Sequence, residues 1–279
     1  MENKCIEVQR ERGLRVFLDL NETLIRTGQV SLPDRLEEQR QLDDFLAECH
    51  RLAIALGSLR IVFLTGNSFE YARRIEEPLG LKNMAGLSLA IVSENGLVAR
   101  SFDKGDLWRA RLLPAYQEAV GSLLEAAEAN SVLAGRFYSQ GNELRTTLKP
   151  VVNEFSEKEL AELVRLTETC GGTSLFRFHG HRFYFDIDPA QVVLDGKQMS
   201  FSGKQYAVQR LVAGSPALNL AIGDSDSDVS MFRAVNRLGG RSFWVANASQ
   251  TLDREVAEKL TGTFTAGVNE MLRAIEVGR

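Results

Sequence analysis

An α/β fold, a doubly wound and largely parallel sheet carrying an inserted α+β domain, is predicted by three observations. Short, nearly continuous apolar runs recur at Val16–Leu18, Ile61–Leu64, Leu87–Val92, Ala217–Ile222 and Phe243–Val245. Runs of this kind suit central strands covered by helices on both faces. Helical stretches alternate with them, the pattern that gives parallel pairing with right-handed crossovers. Between about Asp106 and Val193 the pattern changes to helices and alternating strands. The chain is therefore read as a sheet domain formed by residues 1–105 and 194–279, with residues 106–193 inserted as a second domain.

Residues Met1–Gly13 read as a polar leader and Arg15–Leu20 as the first strand. Asp19 ends its continuous apolar run. Ligands of open α/β sheets bind outside the carboxyl ends of the strands, so Asp19 either stands at the mouth of a site or caps a turn. Thr27–Arg40 reads as a polar loop around Pro33. From Leu36 to Leu56 the apolar positions Leu42, Phe45, Leu46, Leu52 and Ile54–Leu56 suggest an amphipathic helix that Gly57 stops. The strand Arg60–Leu64 ends in Thr65-Gly66-Asn67-Ser68, where Asn67 or Ser68 caps a helix running to about Gly80. The strand Leu87–Val92 ends in Ser93-Glu94-Asn95-Gly96.

Within the insertion the reading is a helix over Trp108–Asn130 and short strands at Arg136–Ser139 and Leu144–Lys149. Ser156 with Glu159 makes a capping box for a helix over Glu157–Cys170, which Gly171-Gly172 ends. Leu175–Phe178 and Arg182–Ile187 flank His179-Gly180-His181 as a hairpin. Phe183, Phe185 and Ile187 would share one face of its second strand, and Arg182, Tyr184 and Asp186 the other. After Gly203 a helix follows over Lys204–Ala213. The strand Ala217–Ile222 then ends in Gly223-Asp224-Ser225-Asp226-Ser227-Asp228. A helix over Val229–Val235, the strand Ser242–Val245 with Ala246-Asn247-Ala248 behind it, and a helix near Val268–Val277 complete the chain.

The formal net charge is −4 and the basic residues are scattered, so no stripe exists to neutralise nucleic-acid phosphates. The three cysteines, Cys5, Cys49 and Cys170, are far apart and form no C-x-x-C, which indicates neither a disulfide framework nor a zinc site. A reducing compartment is the default for such a chain. The first residues lack an apolar signal core and no run approaches a membrane span. The expectation is a cytoplasmic protein with neither nucleic-acid nor membrane partners.

Three strands thus end in residues that chemistry uses: Asp19, Thr65 and Asp224. Asp19, Asp224 and Asp228 offer the hard oxygen ligands that Mg²⁺ takes together with water or phosphate oxygens. A carboxylate beside Mg²⁺ can attack phosphorus, and a lysine such as Lys204 and a threonine hydroxyl can hold the phosphoryl oxygens. Each member has an ordinary reading alone: Lys204 as a surface lysine, Thr65 as a helix cap, Asp226 as a turn residue. Their order and spacing make the set.

That set resembles the haloacid dehalogenase (HAD) superfamily of phosphotransferases. Asp19-Leu20-Asn21-Glu22-Thr23 resembles its D-x-D-x-T motif. Leu64-Thr65-Gly66-Asn67 resembles the strand ending in Thr or Ser, and Lys204 with Ala207, Val208 and Leu211 the K-x-x-A-L-x-x-L pattern. Gly223–Asp228 resembles G-D-x-x-x-D. Ser93-Glu94-Asn95-Gly96 and the insertion resemble the branch with an α+β cap of the C2 type, the Cof-like and sucrose-phosphatase-like proteins. The resemblance implies a HAD core with a C2-type cap that selects the substrate, and a Mg²⁺-dependent phosphatase of a small phosphorylated metabolite such as a sugar or aminosugar phosphate.

By the same resemblance Asp19 is the nucleophile and a metal ligand, and Asn21 gives its backbone carbonyl to the metal. Asp224 ligates Mg²⁺, and Asp228 holds Lys204 or the metal's waters. Thr65 and Lys204 bind the phosphoryl group, and Gly66, Asn67, Asn95 and Arg182 join them as substrate-binding candidates. Arg145, Arg177 and Tyr184 are further polar candidates on the insertion. Asn21 departs from the family, whose phosphatases carry there an Asp that protonates the leaving alkoxide and then activates water. An amide hydrogen-bonds but has no useful pKa. His179 or His181 is a possible substitute acid. Two other readings therefore stand beside the phosphatase: a phosphotransferase or mutase, and a binding protein with weakened turnover.

Overall fold

The computed structural model describes residues 6–25, 32–140, 142–245, 264–265 and 267–278. It divides into two compact units, one formed by Met1–Leu107 and Lys204–Arg279, the other by Trp108–Gly203.

The first unit is built on an eight-stranded sheet. Its strands, in spatial order, are β16 (Phe264–Thr265), β15 (Arg241–Val245), β14 (Leu218–Gly223), β2 (Leu14–Leu18), β3 (Leu59–Leu64), β4 (Leu87–Ser93), β5 (Val98–Ser101) and β6 (Gly105–Arg109). Pairing is parallel from β16 to β4 and antiparallel between β4 and β5. β2 lies between β14 and β3, and all five of its residues are buried. This is the doubly wound α/β architecture read from the apolar runs. Helix α1 (Leu32–Leu56) packs Phe45, Cys49, Leu52, Ala53 and Leu56 onto the face bearing Val16, Leu18, Ile61 and Ile222. Helices α2 (Phe69–Leu79), α6 (Lys204–Val212) and α7 (Val229–Arg237) also belong to this unit.

The ends of the chain differ from their sequence reading. Ile6–Gln9 is a strand, β1, rather than part of a polar leader. It pairs in parallel with β17 (Ile275–Gly278), so the last helix, α8, covers only Val268–Arg273. Ile6, Val8 and Ile275 are buried, and this period-two burial outweighs the helical spacing read across Val268–Val277. Helix α1 begins at Leu32, inside the stretch read as a loop. Pro33 is tolerated in its first turn, where backbone N–H groups have no helical acceptor. The leader's first residues, the start of that loop and Ala246-Asn247-Ala248 lie outside the described residues.

The second unit has a four-stranded antiparallel sheet in the order β10 (Phe176–His181), β11 (Tyr184–Pro189), β9 (Thr146–Pro150) and β8 (Phe137–Gln140). Helices α3 (Pro114–Ala129) and α4 (Glu157–Cys170) pack Tyr116, Leu123, Leu163 and Leu166 against Leu148, Phe176, Phe185 and Ile187. The Ser156–Glu159 capping box forms as read. Helix α3 starts at Pro114 rather than at Trp108, because a proline suits the first helical position and Trp108 belongs to β6. A short α5 (Gly172–Leu175) precedes β10. The hairpin turn falls at Arg182-Phe183, and His179-Gly180-His181 lies inside β10.

A three-stranded sheet completes the unit: β13 (Lys197–Ser200), β12 (Gln191–Leu194) and β7 (Arg111–Leu112). Asp195 and Gly196 join β12 to β13 with φ of 50° and 77°. A two-residue turn with both central residues in the left-handed region matches the twist of a hairpin, and Asp-Gly is a favoured pair for it. This hairpin carries the unit on to Gly203, past the Val193 edge read from the sequence.

Candidate active site

The carboxyl ends of β2, β3 and β14, with the first turn of α6, bring Asp19, Thr65, Asp224 and Lys204 into the same unit, all buried. The Asp19 amide donates to the Ile222 carbonyl at 3.0 Å, which ties the end of β2 to β14. Lys204, at 1 % exposure, donates from Nζ to Asp19 Oδ1 and to Asp228 Oδ1, each at 2.6 Å. It is therefore a buried cation shared between two carboxylates, not a surface lysine. Burial alone would lower the ammonium, but Asp19 and Asp228 outweigh it and hold Lys204 above the usual lysine range.

Asp228 holds this corner together. Its Oδ1 takes Lys204, and its Oδ2 accepts from the amides of Asp224 and Ser225, each at 3.1 Å, and from Ser225 Oγ at 3.0 Å. The loop can wrap this closely because residue 223 has no side chain: a Cβ there would lie 2.5 Å from Asp228 Cγ. Gly223→Ala should therefore push Asp228 out of register with Lys204 and destabilise the unit by about 1–3 kcal/mol, the usual range for overpacking. Urea denaturation checks the stability. A variant of wild-type stability would show that the loop adapts.

Oxygen atoms of Asp19, Asp224 and Asp228 lie within 4.8 Å of one another. With all three ionised, the buried carboxylates outnumber the one ammonium, which suits a divalent cation. Burial pushes Asp19 up to about 7, against the pull of Lys204 and with a further push from Asp228. Asp224 is oriented from several sides. Its Oδ1 accepts from Thr23 Oγ1 at 3.0 Å, and its carbonyl from Trp244 Nε1 at 2.9 Å.

Thr65 is buried at the carboxyl end of β3. Its hydroxyl accepts from the Asn67 amide at 3.2 Å, so its own proton remains to donate. The loops after β3 and β4 are joined by Glu94 N–H to the Asn67 carbonyl and Asn95 N–H to the Thr65 carbonyl, at 2.9 and 3.0 Å. Asn95 is thus drawn against the Thr65–Asn67 turn that also contains Gly66. Glu22, Glu94 and Asn95 have φ of 56°, 51° and 57°. Such conformations cost roughly 1–3 kcal/mol each and persist where the surroundings hold them.

Asn21 is half-buried, and its Oδ1 accepts from Tyr71 Oη at 2.8 Å. Tyr71 and Thr23 are the members of the site that the sequence reading did not single out. Thr23 was present as the last residue of the Asp19–Thr23 motif. Tyr71 carries no local signal, since its partner lies 50 positions away.

Arg182, the sequence candidate on the insertion, stands at the β10–β11 turn. It pairs with Glu154 at 3.5 Å and lies over the Phe183 ring. Arg145 is buried and neutralised within its own unit by Asp186 at 2.7 Å and Asp188 at 2.6 Å. Two carboxylates overcome the burial there and raise the guanidinium further. His179 and His181 face Tyr184 on the same sheet.

No family model and no curated protein matches the sequence. Solved structures do resemble the fold. A haloacid dehalogenase-like hydrolase from Bacteroides thetaiotaomicron matches with a TM-score of 0.61 at 15% identity, over 93% of this chain and 98% of that one. The sucrose-phosphatase of Synechocystis, solved with sucrose and phosphate, matches with a TM-score of 0.58 at 15% identity, over 94% and 96% of the two chains. The C-terminal domain of the trehalose synthase regulatory protein of Candida albicans matches with a TM-score of 0.58 at 10% identity, over 97% and 98%. With its parallel sheet, inserted α+β unit and strand-end carboxylates, the chain has the fold of the haloacid dehalogenase-like hydrolases.

Proposed function

We propose that the protein is a phosphoric monoester hydrolase acting on a small phosphorylated metabolite, with a sugar or aminosugar phosphate as the favoured class. The observation that carries this reading is the buried Asp19–Lys204–Asp228 triad beside Asp224, at the carboxyl ends of parallel strands. A structural salt bridge needs no third carboxylate beside it. In the proposed reaction an Asp19 oxygen attacks phosphorus, the ester P–O bond breaks, and the alkoxide leaves. Water then attacks the phosphorus of the aspartyl phosphate, returning the Asp19 carboxylate and releasing inorganic phosphate. Lys204 and the Thr65 hydroxyl hold the phosphoryl oxygens as charge moves over them.

Asp19, the Asn21 carbonyl and Asp224 would hold Mg²⁺, with Asp228 positioning Lys204 or the metal's waters. When bound, the ion neutralises the phosphoryl group and the attacking carboxylate. The inserted unit is assigned substrate selection, with Arg182 among its contacts. The solved sucrose-phosphatase, in complex with sucrose and phosphate, supports the substrate class by analogy of fold.

Asn21 favours a second reading, in which the aspartyl phosphate passes to an acceptor other than water. Phosphate release from a panel of sugar phosphates, with Mg²⁺ and with EDTA, tests the first reading. Metal-dependent release is expected. Turnover only when an alcohol or sugar acceptor is added would favour the second. Tight binding with neither activity would leave the protein a phosphate-binding module.

A further inference from the structure

The amino ends of the sheet strands carry a second cationic feature, remote from Asp19. Arg15 on β2 and Arg60 on β3 are register partners, so their side chains leave the same face of the sheet. Asn219 on β14 is the register partner of Arg15 on its other side. Strand alternation places Arg15 on the face of Asp19, but ~13 Å away along the strand.

Arg15 is 2 % exposed, yet among the described residues it finds one acceptor: Nη1 donates to Asn219 Oδ1 at 3.1 Å. Its Nε is buried with no hydrogen-bond partner. No described carboxylate pairs with this guanidinium. The charge it feels most is a second cation, and burial together with Arg60 lowers Arg15 to about 10. Arg60 is half-buried and donates Nε to Ser88 Oγ at 3.2 Å. Asp103, whose carboxylate feels Arg60, is itself engaged by the Ser101 hydroxyl. A buried guanidinium is strongly unfavourable unless paired, and two side by side compound the cost.

We propose that Arg15 and Arg60 form a second anion site, which takes a free inorganic oxyanion of the phosphate or sulfate type between the two guanidinium groups. Planar N–H forks suit such oxygens, and the Ser88 hydroxyl can donate a further bond. The depth of Arg15 favours a free ion over a phosphoryl group carrying a large organic tail. Because the site lies at the opposite end of the strand from Asp19, an ion there is distinct from the product phosphate.

The test is the melting temperature of the full chain at millimolar sulfate, below the range where salting-out stabilises proteins generally. Wild type should gain about 5 °C at saturation. Arg60→Gln should lose at least half of that gain. Arg15→Met removes the unpaired charge at similar volume, so it should melt higher than wild type without sulfate and lose its advantage with it. Crystals soaked in selenate should show anomalous density within hydrogen-bond distance of both guanidinium groups. Equal sulfate gains in wild type and Arg60→Gln, or selenate found only beside Asp19, would overturn the assignment. Should Arg15→Met fail to fold, Arg60→Gln and the selenate crystals still decide it.

Discussion

Asp19→Asn should reduce phosphate release by about 10⁴-fold or more, the scale on which deleting a covalent nucleophile is felt. An amide nitrogen does not attack phosphorus, and the amide oxygen is a poor ligand for a hard divalent cation compared with a carboxylate. The fold should survive, because Lys204 keeps Asp228 at 2.6 Å and the Asn oxygen can still accept the other Lys204 hydrogen bond. The Asp19 amide bond to Ile222 is backbone and is untouched. Phosphate release measured beside circular dichroism separates the two effects. A variant that kept most of the wild-type rate would end the aspartyl-phosphate mechanism. A variant that lost both rate and fold would recast Asp19 as a structural partner of Lys204.

The parts of the molecule legible in the sequence are those where local pattern and tertiary demand agree. β2, β3, β4 and β14 are buried on both faces, so their apolar runs are nearly continuous and stand out against the helices. Asp19, Asp224, Asp228 and Lys204 stand out in the sequence because they follow apolar runs or open a helix, and the structure brings them together. What was missed depends on partners far along the chain. β1 and β17 are four residues each and find one another across the whole sequence, so neither has a local signature beyond Ile6/Val8 and Ile275/Val277. Tyr71 is found only through its bond to Asn21. The β12–β13 hairpin carries a local signal of its own, Asp195-Gly196 between Leu194 and Lys197. At His179-Gly180-His181 the glycine suggests a turn. Gly180 instead sits in the strand beside Phe185, where a Cβ would approach that ring to 3.0 Å.

Asn21→Asp should raise hydrolysis of an alkyl phosphate by about a hundredfold, the lower end of what general acid–base catalysis contributes. The variant supplies a group that can protonate the departing alkoxide and then take a proton from the attacking water. Shape is nearly unchanged, and Tyr71 Oη, which donates to Asn21 Oδ1 at 2.8 Å, can donate equally to a carboxylate oxygen. That bond holds residue 21 in place in both forms, so the gain should come from proton transfer rather than from a rearranged loop. The cost is one more negative charge near Asp19, Asp224 and Asp228, which Lys204 and a bound divalent cation offset. p-Nitrophenyl phosphate supplies the control, because its leaving group needs little protonation and should gain less in the first step. The ratio of the two rates therefore reports the missing acid directly. If Asn21→Asp binds Mg²⁺ as wild type does and leaves the alkyl-phosphate rate unchanged or lower, residue 21 is not the missing acid. An acid from elsewhere in the chain, or transfer to an acceptor that needs no activated water, would then explain the Asn.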